Sequence, residues 1–417
     1  MLPCFKEVIT VIERNYYLQK LIKSKGNGKI KILNGLSGSG KSFLLNETYT
    51  RYLTEQGIEN SQIIYVDLDN FSFNNAEEVN KFISKKMTKG KHYYIFIDEF
   101  FNIPDYLMLI LEYANNNLYD VYATVSDLDC STLSSKSLFE MIHIYPLSFS
   151  EYVSYKNDID SSHLLEEYIS YGGLLGLQSC ETDTAKLNYL KYICYEKILP
   201  RIMNNHNIYN EQAFLNLTKT LAYEFGHVTT PYKCGEVIKD VTKQNVSNKT
   251  LSIYLDFLSA SNLIYKSKRY LLKEEKYSIS AARYYFEDVG ILNCYADFKP
   301  IDRFLRLQNM IFIELKRRGC EIYSGLYSHL KKENKRPVRY NYIVPFLVTK
   351  GSMKYSIELA RDSQIQAEGR AEALANIKDS SKKIVLVDDK IKTYINDNKV
   401  VIMSLTDFFL NENSLDT

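Results

Sequence analysis

The chain has 417 residues, enough for roughly two to three domains with buried cores. Its 45% apolar and 24% charged composition is that of a folded soluble protein. A net charge of +2 excludes a whole-chain field for nucleic acid or membrane, so any such site must be local.

Residues 1–25 read as a short segment and a helix, with Ile12, Tyr16, Tyr17, Leu18 and Leu21 at helical spacing. Arg14 on this flank is expected as a solvated helix charge, with approach to the nucleotide as its other reading. Lys29-Ile-Lys-Ile-Leu-Asn34 alternates as a β-strand. It feeds Gly35-Leu36-Ser37-Gly38-Ser39-Gly40-Lys41-Ser42, which is glycine, four residues, then Gly-Lys-Ser. Phe43-Leu-Leu opens a helix. Strand, glycine-rich turn and helix together describe a phosphate-binding loop, whose glycines let backbone N–H groups turn toward anionic phosphates. Lys41 is expected to reach the β- and γ-phosphates and the Ser42 hydroxyl to ligate Mg²⁺. The helix beginning at Phe43 aims its positive end at the ligand. Residues 35–43 are therefore the expected nucleoside-triphosphate site.

Ser61-Gln-Ile-Ile-Tyr-Val-Asp-Leu68 reads as a second strand, followed by an acidic helix around 76–87. His92-Tyr-Tyr-Ile-Phe-Ile-Asp98-Glu99 is an apolar strand ending in two carboxylates, the Walker B pattern. This strand is expected beside the P-loop strand, which brings its tip to the nucleotide. Asp98 is the second expected Mg²⁺ holder and Glu99 the base that directs water. Tyr119-Asp-Val-Tyr-Ala-Thr-Val125 is a fourth strand. Thr124 and Ser126 at its end have two open readings: contact with the γ-phosphate or lytic water, or an ordinary strand-end turn. Met141–Leu147 is the fifth strand. Five strands alternating with helices imply an α/β fold with a parallel, helix-covered sheet. An extra strand between the P-loop and Walker B strands is the arrangement that places a glutamate near the water.

The strings Gly35–Ser42, Asp98-Glu99, Thr124-Val-Ser126 and Pro146-Leu-Ser-Phe-Ser-Glu-Tyr152 together resemble one group of prokaryotic AAA+ superfamily ATPases. Tyr171-Gly-Gly173 is similar to that group's "Gly-Gly-x-Pro" segment, with Leu175 where proline is usual. The resemblance covers nearly the whole chain. It implies an AAA+-like ATPase core over 1–155, a helical lid over 156–230, a winged helix over 231–275 and a nuclease-like α/β domain over 276–417. It also implies ATP as the nucleotide. Family members carry Gly-Arg shortly before the last strand of the core. Here the span reads Leu133-Ser-Ser-Lys136, without arginine, so efficient hydrolysis is less secure than binding. Arg201, after the helix 185–198, is expected as a surface residue, with the nucleotide as its other candidate partner.

Ser247-Asn248-Lys249-Thr250 opens an amphipathic helix, and Asn262–Leu272 reads as a hairpin or wing. Lys243, Asn248, Lys249, Lys266, Lys268 and Arg269 are its basic or polar candidates for DNA. Winged-helix contacts within the protein or to another protein are an equal expectation. Lys276–Leu292 resembles the family's "Lys-x-Tyr-x-x-Asp-x-Gly" segment, with Asp288 and Gly290 in place. A working nuclease site needs two acidic residues and a Glu-x-Lys pair. Here Gln308, Asn341 and Ala360 replace three of the four, leaving Glu358, so this domain is expected to be inactive.

The seven cysteines show no Cys-x-x-Cys pair, so reduced thiols and a cytoplasmic location are expected. Early charges argue against a signal peptide, and no run of about 18 apolar residues predicts a membrane span. The sequence reading is thus an Mg²⁺-dependent ATP-binding protein and slow ATPase. Its nucleotide state would be coupled to DNA or protein binding. A signalling switch with little intrinsic hydrolysis is the alternative. Homo-oligomerisation is left open.

Overall fold

The computed structural model describes residues 12–70, 73–103, 105–114, 116–126, 137–157, 161–333, 336–361 and 364–416. The chain divides into two compact units. The first comprises Met1–Leu147, Leu174–Asn207 and Ala260–Leu263; the second comprises Ser148–Gly173, Ile208–Ser259 and Ile264–Thr417. The stretch expected as a lid, 156–230, is divided between them.

In the first unit, β1 (Ile30–Asn34), β2 (Ile63–Asp67), β3 (Tyr93–Asp98), β4 (Tyr119–Val125) and β5 (Phe139–His143) form a parallel sheet in the order β2-β3-β4-β1-β5. This is the expected five-stranded P-loop sheet. Of the two placements expected for the Walker B strand β3, beside β1 or separated from it by an extra strand, the second is found: β4 lies between them. Register places Ile97 opposite Ala123, and Leu33 opposite Thr124. The carboxylates after β3 and the polar end of β4 therefore reach the same sheet edge as the loop after β1. β5 also begins earlier than its sequence suggests. Ile30 pairs with Phe139, and pairing ends at Asn34 with His143.

Both faces of the sheet are covered, so its strands read as near-continuous apolar runs. Ile95 and Ile97 point into one core with Ile32, Val66, Val121 and Ala123. Tyr94 and Phe96 point into the other, with Leu33, Tyr122, Leu44 and Tyr49 from the helix after the P-loop. Inside this second core the Lys31 ammonium is fully buried and pairs with Asp120, which also accepts from the Tyr122 hydroxyl at 2.9 Å. Residues 183–205 continue as helix through Asp183–Tyr192, Ile193–Ile198 and Leu199–Asn205.

The second unit carries a mixed sheet of eight strands. β6 (Ile264–Leu271), β7 (Lys276–Phe286), β8 (Glu321–Glu333), β9 (Arg336–Lys350), β10 (Met353–Ala360), β11 (Lys382–Val387), β12 (Tyr394–Ile395) and β13 (Val401–Ser404) run in the order β12-β13-β11-β10-β9-β8-β6-β7. β6 and β7, the strands following helices Pro231–Thr242 and Asn248–Ala260, pair antiparallel, and β6 continues the sheet by pairing with β8. Lys243, Asn248, Lys249, Lys266 and Lys268 are exposed, and Arg269 is half-buried.

Two loosely matched sequence strings meet in this unit. Asp288 caps the helix Val289–Tyr295 by accepting from Gly290 and Ile291, and also accepts from Gly173 N at 2.7 Å. A Cβ on Gly290 would lie 1.9 Å from the Tyr171 carbonyl oxygen, so the close approach requires glycine. Burial pushes the Asp288 carboxyl up to about 6, against those three backbone donors.

Of the nuclease-motif positions, Gln308 is buried on helix Arg303–Arg317, Asn341 lies exposed on β9, and Glu358 and Ala360 are buried on β10. The Tyr342 hydroxyl donates to Glu358 at 2.9 Å, and Arg370 stands 3.9 Å away. Burial raises the Glu358 carboxyl to about 7. Among the described residues no group of three or more His, Cys, Asp or Glu could hold a metal ion.

Candidate functional site

The loop after β1 closes around the amino end of the helix that starts at Lys41. Gly40 caps that helix at φ +95°, where a side chain would be strained. Gly35 has no room for one: its Cβ would lie 2.3 Å from the Ile144 carbonyl oxygen. Lys41 is buried and folds back across the loop. Its Nζ donates to Gly35 O at 2.9 Å, Leu36 O at 3.1 Å and Ser126 Oγ at 2.5 Å.

From the end of β3, Asp98 accepts from the Thr124 and Tyr65 hydroxyls, the latter at 2.7 Å, and hydrogen-bonds the Ser42 side chain. Burial raises its carboxyl, and those hydroxyls oppose the shift. Glu99 adopts φ +53°, a left-handed turn that redirects its carboxylate from the strand axis into the cleft. Ser126 donates to it from both backbone N, at 3.0 Å, and Oγ. Arg201 Nη1 donates to Glu99 Oε2 at 2.8 Å, and Arg201 Nη2 reaches Asp69 at 3.1 Å. Lys41 stands 3.8 Å from Glu99.

A cavity of about 330 Å³ opens here, lined by the P-loop, Phe43, both Walker B carboxylates, Ser126 and Arg201. Ser37, Gly38, Gly40, Lys41, Ser42, Asp98, Glu99 and Ser126 thus converge in one cleft. Leu36 contributes its carbonyl to Lys41, and buried Ser39 keeps its Oγ without a hydrogen-bond partner among the described residues. Thr124 bonds Asp98, while Ser126 joins Lys41 to Glu99.

The donor set fits an oxyanion ligand with a hard cation. Glycine cradle, buried ammonium and guanidinium suit phosphates, and the Ser42 hydroxyl in contact with the Asp98 carboxylate offers oxygen ligands of the type Mg²⁺ takes.

Sequence reasoning put two arginines on the surface first and did not pair Lys31 with Asp120. Arg14 is fully buried instead of solvated, because backbone carbonyls around the loop satisfy it. Arg201 enters the cleft from a helix with no local motif. Lys31 and Asp120 were legible only as opposite charges in two otherwise apolar strands. Lys136 lies outside the described residues.

A parallel sheet with a phosphate loop and an acidic pair at one edge defines a P-loop nucleotide-binding ATPase domain. Residues 27–153 match the AAA domain model, and that stretch carries the P-loop and the Asp98-Glu99 pair. Residues 162–302 match a domain of unknown function (DUF8612).

An uncharacterized protein of Haemophilus influenzae is 29% identical over 391 residues, covering 90% of this chain and 93% of that protein. Among solved structures, the Walker-type ATPase paby2304 of Pyrococcus abyssi is 13% identical with a TM-score of 0.48, covering 68% of this chain and 96% of that one. The Aeropyrum pernix Orc1 protein, solved in complex with DNA, is 13% identical with a TM-score of 0.30, covering 71% and 95%.

Proposed function

We propose that the protein is an Mg²⁺-dependent ATP-binding protein that hydrolyses ATP slowly and couples its nucleotide state to a partner. The observation that carries this reading is the convergence of Lys41, Ser126, Glu99 and Arg201 through a chain of direct hydrogen bonds. In-line transfer of a γ-phosphoryl group to water needs a positioned base and fixed positive charge. Glu99 is placed to take the water's proton, and Ser126 orients its carboxylate. Lys41 supplies one fixed charge. Arg201, approaching from the helix Leu199–Asn205, supplies the cation that the absent Gly-Arg motif leaves missing. Ser42 and Asp98 would hold Mg²⁺, which when bound would neutralise phosphate charge.

The alternative, a switch with little intrinsic hydrolysis, is favoured by one specific feature. Both Glu99 oxygens are engaged by Ser126 and Arg201, so the base must be released before it can act. Steady-state ATP hydrolysis by wild type and Glu99→Gln, with and without Mg²⁺, tests the ATPase reading. Turnover that needs both Mg²⁺ and Glu99 supports it; nucleotide binding without turnover in either protein favours the switch.

DNA and protein remain the two partner readings. Duplex DNA binding that weakens with salt and is lost in Lys249→Glu with Lys266→Glu supports DNA. No binding at low salt leaves a protein partner.

A further inference from the structure

A side chain from outside the motif grips the phosphate loop from behind. Arg14 stands at the start of helix Asn15–Ser24 with no exposed surface. Its Nη1 donates to Ser39 O at 2.7 Å, and its Nη2 donates to Tyr145 O at 2.8 Å and reaches Pro146 O at 3.5 Å. The Tyr17 ring supports the guanidinium at 4.5 Å, and the Tyr17 hydroxyl accepts from Tyr145 N at 3.1 Å. One planar fork therefore ties the middle of the loop to the segment leaving β5.

The consequence follows from peptide geometry. Ser39 O and Gly40 N–H belong to one planar trans peptide, so they point in opposite directions. Arg14 holds the carbonyl end, and the amide end is thereby turned away from Arg14, on the side where Gly40 lines the cavity. The fit around Gly40 is close. A Cβ there would meet Leu175 at 3.1 Å and Arg14 Nη1 at 3.3 Å. On the neighbouring peptide, Leu175 N donates to Gly38 O at 3.0 Å, a second outward anchor.

We propose that Arg14 is a positioning residue of the nucleotide site, fixing the Ser39–Gly40 peptide so that the Gly40 N–H faces the phosphates of a bound nucleoside di- or triphosphate. The proposal rests on the nucleotide-binding reading above. Arg14 acts through backbone and does not touch the ligand. What matters is the two-pronged fork, since a lysine would keep the charge but could not span Ser39 O and Tyr145 O together.

The test uses the full chain and fluorescent methylanthraniloyl-ATP and -ADP with Mg²⁺, titrated into wild type, Arg14→Ala and Arg14→Lys. Thermal unfolding is recorded for each. Wild type is expected to bind both ligands. Both variants are expected to bind them about tenfold more weakly or worse, equivalent to about 1.4 kcal/mol. Millimolar guanidinium is expected to restore binding in Arg14→Ala and to leave wild type unchanged, an effect that a purely structural role would not produce. If wild type binds neither ligand, the nucleotide reading itself falls. If wild type binds and cooperatively folded Arg14→Ala stays within about twofold of it, the positioning role is overturned. Should Arg14→Ala fail to fold, Arg14→Lys decides: weakened binding supports the fork, and unchanged binding overturns it.

Discussion

Arg201 Nη1 lies 2.8 Å from Glu99 Oε2, although the two residues are 102 positions apart. The contact links the end of the Walker B strand to the helix Leu199–Asn205 of the same unit, and both side chains are largely buried. A charge-assisted bond in that setting holds the glutamate and brings a guanidinium into the cleft at once. These two consequences predict opposite outcomes on mutation.

If Arg201 stabilises charge on the transferring phosphoryl group, Arg201→Ala should lower kcat by about 10²-fold or more. If its main effect is to restrain Glu99, the same variant should turn over faster than wild type. Single-turnover hydrolysis with saturating Mg²⁺-ATP separates the two. We expect the loss.

Glu99→Gln keeps the size of the side chain but replaces one of the two acceptor oxygens with an amide donor and removes the base. Hydrolysis should fall by about 10²- to 10⁴-fold, the range of general-base catalysis, with little change in nucleotide affinity. Lys41→Ala should instead abolish nucleotide binding, because it removes the buried ammonium from the loop. Equilibrium titration beside steady-state kinetics checks both.

The Lys31–Asp120 pair should reveal itself in stability alone. Lys31→Met leaves Asp120 buried without its cation and should destabilise the chain by about 3–5 kcal/mol. Replacing both residues, as Lys31→Met with Asp120→Leu, should recover most of that loss. Urea unfolding of the three proteins gives the comparison.

Glu358 predicts a pH dependence with a definite sign. Its carboxyl is raised from 4.5 to about 7 by burial, so the folded chain holds this proton where the unfolded chain has released it. Stability from this group is full below the unfolded value and falls as pH rises from about 4.5 through 7, by up to about 3 kcal/mol. Asp288, raised to about 6, adds to the same trend over a slightly lower window. Glu358→Gln should flatten the slope between pH 5 and pH 7.5, read by urea midpoints, because the amide does not titrate. An unchanged slope would show that the buried carboxyl does not set it.

Much of the first unit was legible because its signals are local. Gly35–Ser42 declares itself by the backbone freedom and charge that phosphates require, and Asp98-Glu99 by two carboxylates ending a strand too apolar to be exposed. Burial on both faces makes β1 to β5 readable as strands, since each carries apolar residues in consecutive positions. Strand order was legible only as a choice between two placements of the Walker B strand, beside β1 or one strand away. Every strand in such a sheet looks alike, and the placement of β4 between β1 and β3 is set by crossover connections and packing, not by any residue within them. The tertiary structure alone decided which distant charges act together. Arg14 reads as a solvated helix charge until the carbonyls of Ser39 and Tyr145 are brought to it, and Arg201 reads as a surface arginine until its helix meets Glu99. The physical reason is common to both. A motif of neighbouring residues carries its own geometry, whereas the partner of a long, flexible guanidinium is fixed only when folding removes water and leaves one set of acceptors within reach.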